Sequence, residues 1–247
     1  MKQSTGVIIG VLAVVATSSR VALAGAIDFQ TSPSAPAGTV SYAGGATPLM
    51  GSDIPIVATD ATGIVDIVGV GTPLNNSVGL DCIDCQLSFT TGDFSGVVGN
   101  MWKFSDGRSI MITGGVDFTG DMDANDPQDI PTGTTLLSGT LVGDQLVTNG
   151  VQLMGALGFQ VAGTDLAPKL LSFYGLPSNA TYGGGSNLTI ILPDPATGDP
   201  FAGSVIKENT VVSVPIANSL PLFLTGLVAI GFWRRQRFGE NQTESRR

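Results

Sequence analysis

The chain has 247 residues, with 20 Asp and Glu against 11 Lys and Arg and no histidine. The missing imidazole excludes His-dependent triads and histidine metal sites, and the acidic surplus argues against nucleic acid as a partner. An apolar fraction of 43 % excludes a disordered chain, while 34 glycines and 14 prolines point to short strands joined by turns.

Residues 1–24 have the layout of a secretory signal peptide. Lys2 supplies the positive start, and residues 7–16 (VIIGVLAVVA) form an apolar run too short to span a bilayer. Ala22-Leu23-Ala24 is a small-x-small cleavage site before Gly25, and Ala24-Gly25-Ala26 offers a second one. The exported domain is expected over residues 25–210. Only four basic residues, Lys103, Arg108, Lys169 and Lys207, lie between Gly25 and Ser213.

Strand candidates follow at residues 26–29 and 39–42, separated by a loop at 31–38. Residues 63–70 read as a mostly buried strand. Residues 80–91 (LDCIDCQLSFTT) are the clearest β segment, with Cys85, Leu87 and Phe89 on one face. Trp102 and Phe104 share a face, as do Ile110 and Ile112, and Asp106-Gly107 between them predicts a hairpin. Residues 114–133 break the pattern as an acidic loop. Strands resume at 134–142, with a turn at Gly143-Asp144, and at 151–162, 186–192 and 204–207. One helix is predicted, capped by Asp165, with Pro168 in its first turn and Gly175 and Pro177 as its stop. The Gly-rich piece from Tyr182 to Gly185 predicts a turn, since no Gly-Lys-Ser/Thr phosphate-loop signature is present.

Cys82 and Cys85 are the only cysteines. In a straight strand, residues three apart are separated by about 10 Å and face opposite ways, beyond the roughly 7 Å reach of a disulfide. A bond therefore requires a turn or bulge at Ile83-Asp84. A structural disulfide is the first reading and two free thiols the second. A redox role is disfavoured, because a β run and not a helix follows the pair.

Asp121, Asp123, Asn125 and Asp126, with Asp129 and Asp117 nearby, alternate like the start of an oxygen-rich calcium loop. The EF-hand pattern fails, because Asp126 stands at its glycine position and Thr132 at its final glutamate. A solvated acidic loop, with no cofactor, is the other reading. Trp102, Tyr42, Tyr174 and Tyr182 are the residues a sugar-binding face could use for stacking, against core packing as the alternative. A hydrolase would need two convergent carboxylates, and Glu208 is the only glutamate of the exported domain. No serine has a histidine partner or a Gly-x-Ser-x-Gly elbow.

Residues 211–233 carry no charge, and Arg234, Arg235 and Arg237 follow at once. This run reaches the ~20 residues a membrane helix requires, and the arginines keep its far end cytoplasmic. Val214-Pro215, the apolar run from Ser219 to Leu227 and the basic cluster together resemble the PEP-CTERM sorting signal of exported proteins from exopolysaccharide-producing bacteria. Ile216 and Ala217 stand where that family has Glu-Pro, and residues 239–247 add a polar tail. The resemblance implies an exosortase-type processing enzyme as partner, cutting near Val214-Pro215. It also implies membrane attachment through the helix before processing, and then a cell-surface or extracellular location.

The sequence thus predicts a mainly β chain: an antiparallel β-sandwich with one short helix, a signal peptide, and a sorting signal with a transmembrane helix over 211–238. The expected role is a non-catalytic surface or matrix protein associated with exopolysaccharide. The alternatives are a polysaccharide-binding module, calcium-dependent or not, and a permanently anchored surface protein.

Overall fold

Alternation with period two runs through most of the chain and sets its faces. From Leu153 to Ala162, residues 153, 155, 157, 159 and 161 turn inward, while Met154, Ala156, Gln160 and Ala162 are exposed. The computed structural model describes residues 25–31, 38–56, 59–60, 63–64, 66–124, 126–149, 152–191 and 195–214. The expected signal peptide, Pro215 and the arginine-ended helix lie outside the described residues. Among the described residues no helix is long and apolar enough to cross a membrane.

The strands are β1 (Ala26–Thr31), β2 (Thr39–Tyr42), β3 (Pro48–Pro55), β4 (Thr59–Asp60), β5 (Gly63–Ile64), β6 (Ile67–Val70), β7 (Gly79–Val98), β8 (Met101–Phe104), β9 (Ser109–Asp117), β10 (Ile130–Leu141), β11 (Gln145–Thr148), β12 (Leu153–Ala162), β13 (Thr181–Ile191) and β14 (Phe201–Ser213). Helix α1 (Pro168–Tyr174) lies between β12 and β13. Strands β4 and β5 pair only with each other.

The other 12 strands form one antiparallel sheet. One edge of β7 carries β9 and then β8, and the other carries β6 and then β3. Strand β14 is bordered by β13 on one edge and by β1 and β2 in succession on the other. Strand β12 joins β13 to β10 and β11, which continue to β9 and β8. Strands β1 and β2 meet β6 and β3. The pairings therefore return on themselves. The predicted mainly antiparallel β class is present, and the opposed faces of the fold belong to one continuous sheet.

The predicted hairpin at Asp106-Gly107 is not formed. Strands β8 and β9 do not pair with each other but lie end to end along the same edge of β7. The reversal occurs earlier, at Gly99-Asn100, because β7 runs on to Val98, seven residues past the predicted end. The Asp106-Gly107 stretch is instead a bulge, with Gly107 donating to the Leu141 carbonyl and Leu141 to that of Arg108. Gly143-Asp144 behaves alike: β10 and β11 lie end to end beside β12. The buried Gln145 fills the gap this leaves. Its amide donates to the carbonyls of Val142 and Gly143, and its Oε1 accepts from Gly158 N at 2.7 Å.

The glycines at 183–185 lie within β13, paired on both edges, and not in a turn. The ring of Phe159 lies against Gly184, its register partner, where any Cβ would collide with it. Helix α1 starts with Pro168 in its first turn, as predicted, and stops at Gly175 in the left-handed region at φ 70°. Its cap is Ala167 and not Asp165, which sits in a preceding 3-10 turn. Leu166 and Ala167 stay extended because they bridge to Leu137 and bond to the Leu136 carbonyl.

The core draws on every part of this sheet. Trp102, Tyr42, Phe104 and Phe201 pack with ring centroids 5.2–6.0 Å apart, and Tyr174 and Tyr182 are fully buried. Strand β14 continues to Ser213, and Val214 N donates to Gly25 O at 3.1 Å. The expected boundary at residue 210 therefore moves. Residues 211–213 complete a strand that pairs with β1 and β13, so they belong to the sheet and not to the expected helix.

Gln145→Leu should lower stability with little change in fold. It leaves the Gly158 amide without its acceptor, at a cost of about 1–3 kcal/mol. At this size the melting midpoint should fall by roughly 2–4 °C per kcal/mol. Thermal unfolding followed by circular dichroism reads the shift, and an unchanged midpoint would contradict the role given to the Gln145 side chain.

Candidate functional site

Two features concentrate chemistry in the described residues: the cysteine pair in β7 and the acidic loop between β9 and β10. The cysteines meet the geometric demand that their spacing imposes. Register shifts between Ile83 and Gln86 against β9, and Asp84 takes φ 53°, a left-handed conformation that Asp tolerates better than most residues. The bulge brings the Cα atoms to 5.6 Å, and Cys82 and Cys85 form a disulfide. Both are buried, at 7 % and 2 % exposure. The buried carboxylate of Asp66 anchors this place by accepting from Cys82 N at 2.8 Å.

The acidic loop is organised by Asp117, the last residue of β9. Its Oδ1 accepts from Thr119 N, the Thr119 hydroxyl and Gly120 N, and its Oδ2 accepts from Met122 N at 2.6 Å. Burial by itself raises this carboxyl's pKa. The amides of Gly120, Met122 and Thr119 and the Thr119 hydroxyl more than reverse that, and hold the group below the usual carboxylate range. The loop returns through Asp129, whose Oδ1 accepts from Phe118 N at 2.7 Å. It docks on α1 through the Phe118 and Phe173 rings, 5.2 Å apart. Lys169 of α1 donates to the carbonyls of Pro127 and Asp129 at 2.9 and 2.8 Å.

Asp117, Asp121 and Asp129 each bring one ligand oxygen within 4.8 Å of the others'. Asp117 and Asp129 are buried and Asp121 is exposed. Of the five expected calcium ligands, the structure thus gathers Asp121 and Asp129. Asp123 and Asp126 are exposed and outside this cluster, and Asn125 lies outside the described residues. Both still feel or form the same field. Desolvation, and then the charges of Asp121, Asp129, Asp123 and Asp117, raise the pKa of Asp126. Burial, and then Asp117, raise that of Asp81, its partner across β7 and β9.

Sequence reasoning placed Asp117 beside the loop and not at its centre. The signal is present in Asp117-Phe118-Thr119-Gly120: aspartate at the first position and glycine at the fourth mark a turn whose amides the carboxylate gathers. The four candidate stacking residues, Trp102, Tyr42, Tyr174 and Tyr182, are at most 2 % exposed, so they pack the core. A groove of about 420 Å³ on the outer face is lined by Gln30, Asn187, Thr189, Lys207 and Asn209, without an aromatic ring. Comparison with protein-family models, curated proteins and solved structures finds no match.

Thiol labelling checks the cysteine geometry directly. Protein exported to an oxidising compartment, then denatured without reductant, should take up no label, and prior reduction should expose two sites. Two labelled thiols before reduction would rule out the bond.

Proposed function

We propose that the chain is an exported, non-catalytic surface or extracellular-matrix protein, whose β-sandwich domain is delivered by a C-terminal sorting signal and associates with exopolysaccharide. The observation that carries export is the Cys82–Cys85 disulfide, built into a bulge and buried in the sheet. Bonds of this kind persist in oxidising compartments and are rare in a reducing cytoplasm. The extent of the folded unit agrees with the reading. A hydrogen bond joins Gly25, beside the small-x-small cleavage sites, to Val214, the first residue of the Val-Pro pair. A processing enzyme cutting near Val214-Pro215 would act beside this hydrogen bond.

The non-catalytic part is supported by the acidic loop. Asp117 is committed to four donors and held as a carboxylate, which suits a structural acceptor better than a general acid. The burial of Trp102 and the three tyrosines removes them as a stacking platform. Association with polysaccharide then rests on polar surface and on the sorting resemblance.

Two epitope tags in the native host test the reading, one in the exposed turn at Gly45 and one after Arg247. Sorting and release separate the tags, and the first appears on a shortened surface or extracellular product ending close to Val214. Both tags on one full-length membrane species would overturn the sorting reading and leave a permanent anchor.

A further inference from the structure

The acidic loop holds a buried group that its hydrogen bonds do not explain. Asp129 has no exposed surface, and its Oδ2 has no hydrogen-bond partner among the described residues. A buried carboxylate oxygen without a donor is costly, and native proteins pair such atoms with protein, water or an ion. The cost is higher here because the loop is crowded with negative charge. Asp81 stands opposite Asp117 across β7 and β9, the charges of Asp121, Asp129, Asp123 and Asp117 act on Asp126, and Lys169 is the one cationic side chain bonded to the loop among the described residues. Lys169 spends its protons on two backbone carbonyls, so it offsets charge without bonding Asp129 Oδ2.

The loop is nevertheless built to stay closed. Ala124 is buried, Phe118 packs on Phe173, and Asp117 gathers the amides of the first turn. An arrangement that holds three carboxylates together needs something that repays their repulsion. The donors are all oxygen, which excludes soft thiolate-seeking metals and selects a hard cation. Three oxygens that all lie within 4.8 Å of one another can share one ion at calcium's 2.3–2.6 Å, and an irregular set of protein oxygens suits calcium's flexible shell better than the near-ideal octahedron magnesium demands.

We propose that Asp117, Asp121 and Asp129 hold one calcium ion, which occupies the free side of Asp129 Oδ2 and fastens the loop to the end of the sheet. Asp117 contributes through Oδ2, which accepts a single amide, while Oδ1 remains committed to the turn. Asp129 keeps Oδ1 on Phe118 N. Water and backbone carbonyls complete the six to eight oxygens that calcium takes. The site is independent of the export and sorting reading, and neither stands or falls with the other.

The full chain, solubilised in detergent and stripped of metal with EDTA, is titrated with calcium chloride by calorimetry and then melted. One ion per chain is expected, with magnesium binding at least tenfold more weakly. The melting midpoint should rise by roughly 5–10 °C at about 100 times the Kd, from linkage and the size of the domain. Asp129→Asn should abolish the calcium-dependent shift while keeping a group that can accept from Phe118 N. Asp121→Asn, at an exposed position, should leave the metal-free midpoint no lower than wild type, because it relieves repulsion, and should weaken calcium at least tenfold. A folded wild-type chain that takes up no calcium and melts at the same temperature with calcium or EDTA would overturn the proposal and assign the space at Asp129 to water. Wild-type affinity in Asp121→Asn would overturn the ligand set.

Discussion

Strand β7 is twenty residues long, and none of its neighbours reaches along either edge. Every amide along it still has to be satisfied, because an unpaired buried N–H costs about as much as a lost hydrogen bond. The chain meets this constraint by laying shorter strands end to end: β6 and β3 along one edge, β9 and β8 along the other. Strand β14 solves the same problem with β1 and β2. The joints between such segments become the places where ordinary ladder bonds are missing. Gln145, the Asp106-Gly107 bulge and the Asp66 carboxylate all stand at or beside these joints, replacing backbone partners with side chains or offset amides. Closure also removes the long open edges through which β-rich proteins aggregate.

The interior follows from closure. A sheet that returns on itself buries one side of every strand, so period-two alternation is enough to place the core. Trp102, Tyr42, Phe94, Phe104 and Phe201 gather toward one end, where Trp102 donates to the Asp199 carbonyl at 3.2 Å and Tyr42 to that of Gly45 at 2.8 Å. At the other end α1 closes the core, and Tyr174 donates to the carbonyls of Ile67 and Val78. Buried polar groups are few and placed. Glu208 shares its carboxylate with the hydroxyls of Ser186 and Thr210, and Thr91 bridges β7 to Leu49 of β3.

What could be read from the sequence was local. Alternation located most strands, Pro168 and Gly175 bounded the helix, and a disulfide across the Cys-x-x-Cys spacing required a turn or bulge at Ile83-Asp84, which the sheet contains. The errors arose where a local signal had two structural uses. Asp-Gly makes a hairpin when the flanking strands pair, and a bulge when a longer third strand holds both of them. Nothing within residues 101–117 specifies that β7 is long enough to do so. Glycines at 183–185 read as a turn until Phe159, on the neighbouring strand, supplies the ring that requires the bareness of Gly184. The acidic loop was visible by composition, but its centre was not. Alternating aspartates drew attention to Asp123 and Asp126, whereas burial selects Asp117 and Asp129 at the strand ends.

The hydrogen bond between Val214 and Gly25 holds the first and last described residues side by side. Leu176, just beyond α1, packs on Gly25, so helix, acidic loop and both ends share one pole. The turns at Gly45, Gly99 and residues 195–200 gather at the opposite pole, joined by bonds such as Asn149 to Asn100 and Pro195. This arrangement has a mechanical meaning. Strands β1 and β14 run antiparallel from that shared point, so a pull that separates the two ends opens their ladder one bond at a time, like a zipper. A pull that draws both ends together, as from one surface, loads the two strands side by side and leaves the ladder between them in shear-free register.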